Sequence, residues 1–210
     1  MPSTCLLFIH ACMYECCVRR TAEDTAATRA ALLDAALFTF AEQGVAEATL
    51  AGIAGSAGLT RGAVYHHFAD KNALLGAVLE QMWDTVATPV WAALDDPARP
   101  LRARLQTFAV GWLTALHTDR RFTALMAVSM QAGLPNDPEK KKAAGFHEWR
   151  ARLVADLTPA AADLAVDPPT AAEHLLAWLS GTALLAGHDP ALVPRADATS
   201  VAPLLEGLLR

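Results

Sequence analysis

Between Thr49 and Phe68 two short apolar segments flank Gly58, and this arrangement constrains the chain more than any other feature. Thr49 stands before Leu50, Ile53, Ala54 and Ala57, and Thr60 stands before Val64 and Phe68, all at helical spacing. A threonine ahead of such a run offers its hydroxyl to the orphan N–H groups of the first turn. Glycine ends a helix by taking the left-handed conformation at little steric cost. Helices this short are unstable alone, so the pair predicts a helix-turn-helix braced by longer neighbours.

Those neighbours are legible on both sides. Leu33, Leu37, Phe40 and Ala41 recur at helical spacing from Thr25 to Gln43, with Gly44 as the stop. Lys71 opens a longer run carrying Leu74, Leu75, Val78, Leu79, Met82 and Val86, which ends before Asp95-Asp96-Pro97. Beyond it, Pro100–His117, Arg120–Ala132, Pro138–Leu157, Pro169–Gly187 and Ser200–Leu209 are each apolar on one face and bounded by Pro, Gly or Asp. Hydrophobic residues make up 53% of the chain, with no alternating Val/Ile/Thr runs. The expected class is therefore all-α: an N-terminal three-helix module with a helix-turn-helix, then a helical bundle. The expected divisions are a disordered tail or upstream extension over 1–17, the helix-turn-helix module over 18–75 and the bundle over 76–210.

Taken as a helix, Thr60–Phe68 turns Val64 and Phe68 inward over Leu59. Thr60, Arg61, Tyr65, His66 and His67 are left near the outer surface, with Gly62 and Ala63 too small to obstruct a close approach. That surface suits a DNA groove: N-terminal side chains meet base edges, while hydroxyls, imidazoles and amides hold phosphates. Arg61 has the geometry to bridge guanine O6 and N7, and Lys71 is placed to meet a phosphate. With a formal net charge of −5, any grip on DNA must be local, and nonspecific coating is disfavoured.

These residues also resemble the TetR family of regulators, and its AcrR/TtgR-like branch in this module. The resemblance runs from about Arg19 through Trp83. It is carried by Thr28–Ala36, by Phe40-Ala41-Glu42-Gln43-Gly44, by Ile53–Phe68 and by Lys71-Asn72-Ala73-Leu74-Leu75 in one register. It implies that Thr49, Thr60, Arg61, Tyr65, His67 and Lys71 match positions that contact DNA. Tyr65, His67 and Lys71 would hold phosphates; Thr60, Arg61 and His66 would lie nearest the bases. It further implies a repressor released from operator DNA by a small ligand, and a homodimer built from the last two helices.

The second part carries all five tryptophans, with Phe108, Phe122, Phe146, Met126 and Met130. A bundle rich in large adaptable side chains suits a pocket for a small apolar or amphipathic effector. Trp83, Trp112, Phe122, Met126 and Trp149 are its expected lining, with His117, Gln131 or His147 as orienting groups. A solid core of the same residues is the competing expectation, and it leads to a ligand-independent DNA-binding protein whose second part only dimerises. Leu176, Ser180, Gly181 and Leu184 with Leu205 and Leu208 are expected to form the dimer face, since two such helices repeated by a twofold axis make a four-helix interface.

Other functions find little support. The chain has no phosphate-binding glycine loop, nucleophile elbow or His-Glu-x-x-His pattern, so neither catalysis nor a cofactor is expected. Cys5, Cys12, Cys16 and Cys17 all fall in the first seventeen residues. They form no disulfide framework through the fold and lack the second ligand pair of a zinc site. The apolar run from Cys5 to Met13 is too short to span a bilayer and has no basic start, so a cytoplasmic location without membrane attachment is expected.

Overall fold

The computed structural model describes residues 4–131 and 138–210, with side chains over 23–131 and 146–210. The fold is all-α. Among the described residues an isolated antiparallel bridge joins Leu164 to Leu209. The first helix, α1, spans Thr4–Gln43, followed by α2 (Leu50–Ser56) and α3 (Arg61–His67). Gly44 and Gly58 hold φ of 83° and 68° at the two turns, where a side chain would be strained. Next comes α4 (Lys71–Met82), which continues through a π-helical segment (Trp83–Ala87), α5 (Thr88–Trp91) and a 3-10 turn (Ala92–Leu94). Lys71 to Leu94 is thus one rod, ending where Asp95-Asp96-Pro97 was expected to end it. The bundle is completed by α6 (Leu101–Thr118), α7 (Arg120–Gln131), α8 (Pro138–Leu157), α9 (Pro168–His188) and α10 (Ala198–Leu208).

The backbone of residues 4–17 is helical and continuous with α1, where a disordered tail or an upstream extension was expected. No glycine or proline interrupts Thr4–Gln43, and a helix already nucleated extends at small cost per residue. Residues 1–3 and the four cysteine side chains lie outside the described residues.

Three threonine and aspartate caps set the helix-turn-helix. Thr49 Oγ1 accepts from the Gly52 N–H at 3.0 Å, Thr60 Oγ1 from Ala63 at 3.4 Å, and Asp70 Oδ1 from Ala73 at 2.8 Å. A Cβ on Gly52 would stand 3.1 Å from the Thr49 hydroxyl. The glycine, costly to helix propensity, leaves room for the cap.

The core runs without a break from Leu32, Leu33, Leu37 and Phe40 of α1, through Ile53, Val64, Leu74 and Val78, to Trp112, Phe122, Leu179 and Leu205. Burying each such side chain contributes about 1.5–3 kcal/mol. Polar bridges reinforce the join between α1 and α7: Arg121 pairs with Asp34 at 2.5 Å and Arg120 with Glu42 at 3.0 Å, the latter guanidinium lying 4.4 Å from the Phe38 ring centroid. At the far end, the buried Arg104 donates through Nε and Nη2 to the Leu94 carbonyl and through Nη2 to that of Asp156 at 3.5 Å. One guanidinium therefore ties the end of the rod to the end of α8. Among the described residues no helix is long and apolar enough to cross a membrane.

Candidate nucleic-acid interface

Helix α3 is held by its inner face and open on its outer one. Val64 and Phe68 are buried, while Thr60, Arg61, Gly62, Tyr65 and His66 are exposed; Ala63 and His67 lie at the margin. The Arg61 guanidinium donates to the Tyr65 hydroxyl at 3.3 Å and sits 5.4 Å from its ring centroid. This pairing, one turn apart, pre-orders both side chains on the solvent side. A groove of about 460 Å³ between α2 and α3 gathers Thr49, Arg61, Tyr65 and Lys71. Four of the expected DNA-contacting residues thus share one concavity.

Lys71 makes two bonds that its sequence position did not reveal. Its ammonium donates to the Ala46 carbonyl at 2.8 Å and the Ala48 carbonyl at 3.0 Å. An ammonium has three N–H bonds, so one remains for an outside acceptor. His66 and His67 meet edge to face with centroids 5.2 Å apart. Partial burial lowers the His67 pKa from its ordinary value, and the neighbouring His66 and Arg29 add to the effect. Arg29 itself was missed. It reaches from α1 to Gln81 Oε1 at 2.6 Å and lies 5.5 Å from the Phe68 ring centroid, contacts between residues too far apart in sequence to be read from it.

Leu205 and Leu208, expected at a dimer face, are 2% and 1% exposed and belong to the chain's own core. Their face of α10 packs on α6. On α9, Leu184 is 55% exposed and Gly181 is open, with Leu176 and Ser180 half-buried. Leu192, in the 3-10 turn after α9, is 58% exposed and was not anticipated.

In the bundle, Trp83, Trp112, Phe122 and Trp149 join one network of rings. Centroids lie 5.1 Å apart for Trp83–Trp149, 6.3 Å for Trp112–Trp149 and 5.0 Å for Trp112–Phe122. Met126 is fully buried in the same core. Trp91 and Phe108, absent from the expected lining, stand in the network, 5.2 Å apart. Trp83 and Trp91 are eight residues apart, which a regular α-helix would rotate by about 80°. The extra residue of the π segment brings the pair to about 20° from alignment, and their rings meet tilted with centroids 6.0 Å apart. His117, Gln131 and His147, expected to orient a ligand, are all exposed; His117 Nε2 is occupied 3.0 Å from the Pro194 carbonyl.

Residues 32–78 match the family described as bacterial regulatory proteins, tetR family. The chain is 48% identical over 68 residues to the HTH-type transcriptional regulator TtgR of Pseudomonas putida, covering 32% of each, so it spans about a third of that relative's length. It is 40% identical over 96 residues to the uncharacterized HTH-type transcriptional regulator TtgW, also of Pseudomonas putida, covering 38% of this chain and 72% of that one. Among solved structures it resembles NalD, the secondary repressor of the MexAB-OprM multidrug efflux pump in Pseudomonas aeruginosa, with a TM-score of 0.71 at 27% identity over 90% of this chain and 98% of that one. A SmeT–triclosan complex aligns with a TM-score of 0.69 at 26% identity over 88% and 92%. SmeT is the repressor of the Stenotrophomonas maltophilia multidrug efflux pump SmeDEF. With its helix-turn-helix in the matched segment and 40% identity across most of TtgW, the chain belongs to the tetR family of bacterial regulatory proteins.

Proposed function

We propose that the chain is a homodimeric transcriptional repressor that binds palindromic operator DNA through α3 and is released by a small apolar or amphipathic effector. The observation that carries the DNA-binding half is the outer face of α3. Arg61, Tyr65 and His66 stand exposed around Gly62, and Thr49 and Lys71 line the adjoining groove. In this reading Arg61, with Thr60 and His66, meets base edges in the major groove, while Tyr65, His67, Thr49 and the remaining Lys71 N–H hold phosphates. Two copies related by a twofold axis place their α3 helices in half-sites about one helical turn apart. Leu176, Ser180, Gly181, Leu184 and Leu192 form the contact between them.

The sensor half rests on the ring network, whose Trp83 sits on the same rod as Lys71. It is supported by NalD and SmeT being described as repressors and by SmeT being known with triclosan. Residues 18–75 act as the DNA-binding module and 76–210 as the effector and dimer domain, with the rod shared between them. Full burial of Phe108, Trp112 and Phe122 favours the other reading, a ligand-independent DNA-binding dimer.

Selection of bound fragments from random duplex DNA by the purified protein tests the first half; recovery of a common inverted repeat is the expected result, and fragments without shared sequence overturn it. Saturable quenching of tryptophan fluorescence by members of a diverse apolar panel, with reciprocal loss of operator affinity, tests the second. Absence of both across the panel leaves the ligand-independent reading.

A further inference from the structure

The Trp91 side chain is fully buried, and its indole N–H meets no hydrogen-bond acceptor among the described residues. Trp112, equally buried, gives its N–H to Thr182 Oγ1 at 2.9 Å. Folded proteins leave few buried donors unpaired, because the water given up must be replaced. An open donor within a cluster of rings points to an acceptor supplied from outside the chain.

Its surroundings describe that acceptor. Trp91 lies 6.0 Å from Trp83, 5.9 Å from Trp149 and 5.2 Å from Phe108, centroid to centroid. Trp83, Phe146 and Trp149 are half-buried, whereas Trp91 and Phe108 are wholly enclosed. The network therefore has a rim on the solvent side, and the open donor stands one ring behind it. The nearby charges balance. The Arg152 guanidinium, 5.2 Å from the Trp91 ring centroid, pairs with Asp95 at 2.9 Å and lies 3.6 Å from Asp156, and the buried Arg104 guanidinium stands beside Asp156 as the second positive charge. A net charge on the ligand would find no unpaired counter-charge there and would lose its water.

We propose that Trp91 is the polar anchor of the effector site, and that the effector is an uncharged aromatic compound whose carbonyl or ether oxygen accepts the Trp91 indole N–H. This rests on the sensor reading above and narrows it to one ligand class and one donor.

The test uses the full chain with benzophenone and diphenylmethane, two-ring probes that differ in the carbonyl. Calorimetry should show benzophenone bound more tightly. Trp91→Phe, which keeps a ring but removes the N–H, should weaken benzophenone roughly tenfold and leave diphenylmethane within about twofold. Because that variant could lose its fold, the unmutated protein is also labelled with 15N-tryptophan and the indole resonances assigned. The Trp91 indole proton should move downfield with benzophenone and stay in place with diphenylmethane. Equal affinity for the two probes, no binding of either, or a Trp91 resonance unmoved by saturating benzophenone overturns the anchor. In the last two cases, operator release by some other compound leaves the sensor reading standing, whereas failure of every compound to weaken operator binding removes that reading as well.

Discussion

Lys71 on α4 donates its ammonium to the carbonyl of Ala48, 3.0 Å away and one residue before the cap of α2. The residue proposed to grip a phosphate is also a brace of the helix-turn-helix, so substitution there should change two quantities at once. Lys71→Ala should weaken binding to all DNA sequences and lower the slope of log affinity against log salt by about 0.9. It should also cost stability, on the order of 1 kcal/mol for hydrogen bonds made by a half-buried charge. Salt titrations and thermal melts separate the two. An unchanged melting temperature would show the brace to be idle.

Arg61→Ala is expected to behave differently. Its side chain is exposed, and among the described residues its hydrogen-bond partner is the exposed Tyr65, so the melting temperature should hold. Affinity for the selected operator should fall by about five- to a hundredfold, with relaxed discrimination at one base pair. A uniform loss across sequences would move Arg61 from the bases to the backbone.

The proposed phosphate contact of His67 fixes the sign of a pH dependence in operator binding. In the free protein its pKa is depressed by burial and by His66 and Arg29, so the unfolded chain binds the extra proton first. Stability is therefore fully present above the unfolded value near 6.5 and falls as pH drops through the window below it. A phosphate beside His67 favours the charged ring and raises its pKa in the complex, so affinity should grow as pH falls, by at most about tenfold per unit for one proton. Operator affinity between pH 8 and 6, with His67→Gln alongside, measures this. Affinity that is flat with pH in the unmutated protein would remove the phosphate contact.

Leu184 and Leu205 discriminate the dimer face from the core. Leu184→Glu should yield folded monomers with weak operator affinity, because the side chain is open to solvent. Leu205→Ala should instead destabilise the protomer by about 2–5 kcal/mol without changing its association, since Leu205 is enclosed. Light scattering with circular dichroism checks both. A Leu184→Glu dimer would direct attention to another face.

Features governed by neighbours in sequence were legible from it. The Thr49 and Thr60 caps, the Gly58 turn and the buried pair Val64 and Phe68 depend on spacings of a few residues, and helical periodicity shows them. What depends on long-range meetings was not visible. Arg29 finds Gln81 and Phe68 across more than thirty residues, and Leu205 and Leu208 look like a spare apolar stripe until α6 covers them. The π segment leaves no compositional mark in Trp83–Ala87, yet it decides that Trp91 joins Trp83 on one side of the rod.

The grip of Arg104 on the Leu94 carbonyl turns the Lys71–Leu94 rod into a lever with a fixed end. At 1.5 Å per residue its arm is about 35 Å long. A tilt of only about 5° about the pinned end carries Lys71 through about 3 Å, as far as a whole hydrogen bond is long. A small displacement at the tryptophans would thereby be magnified where the protein would meet DNA.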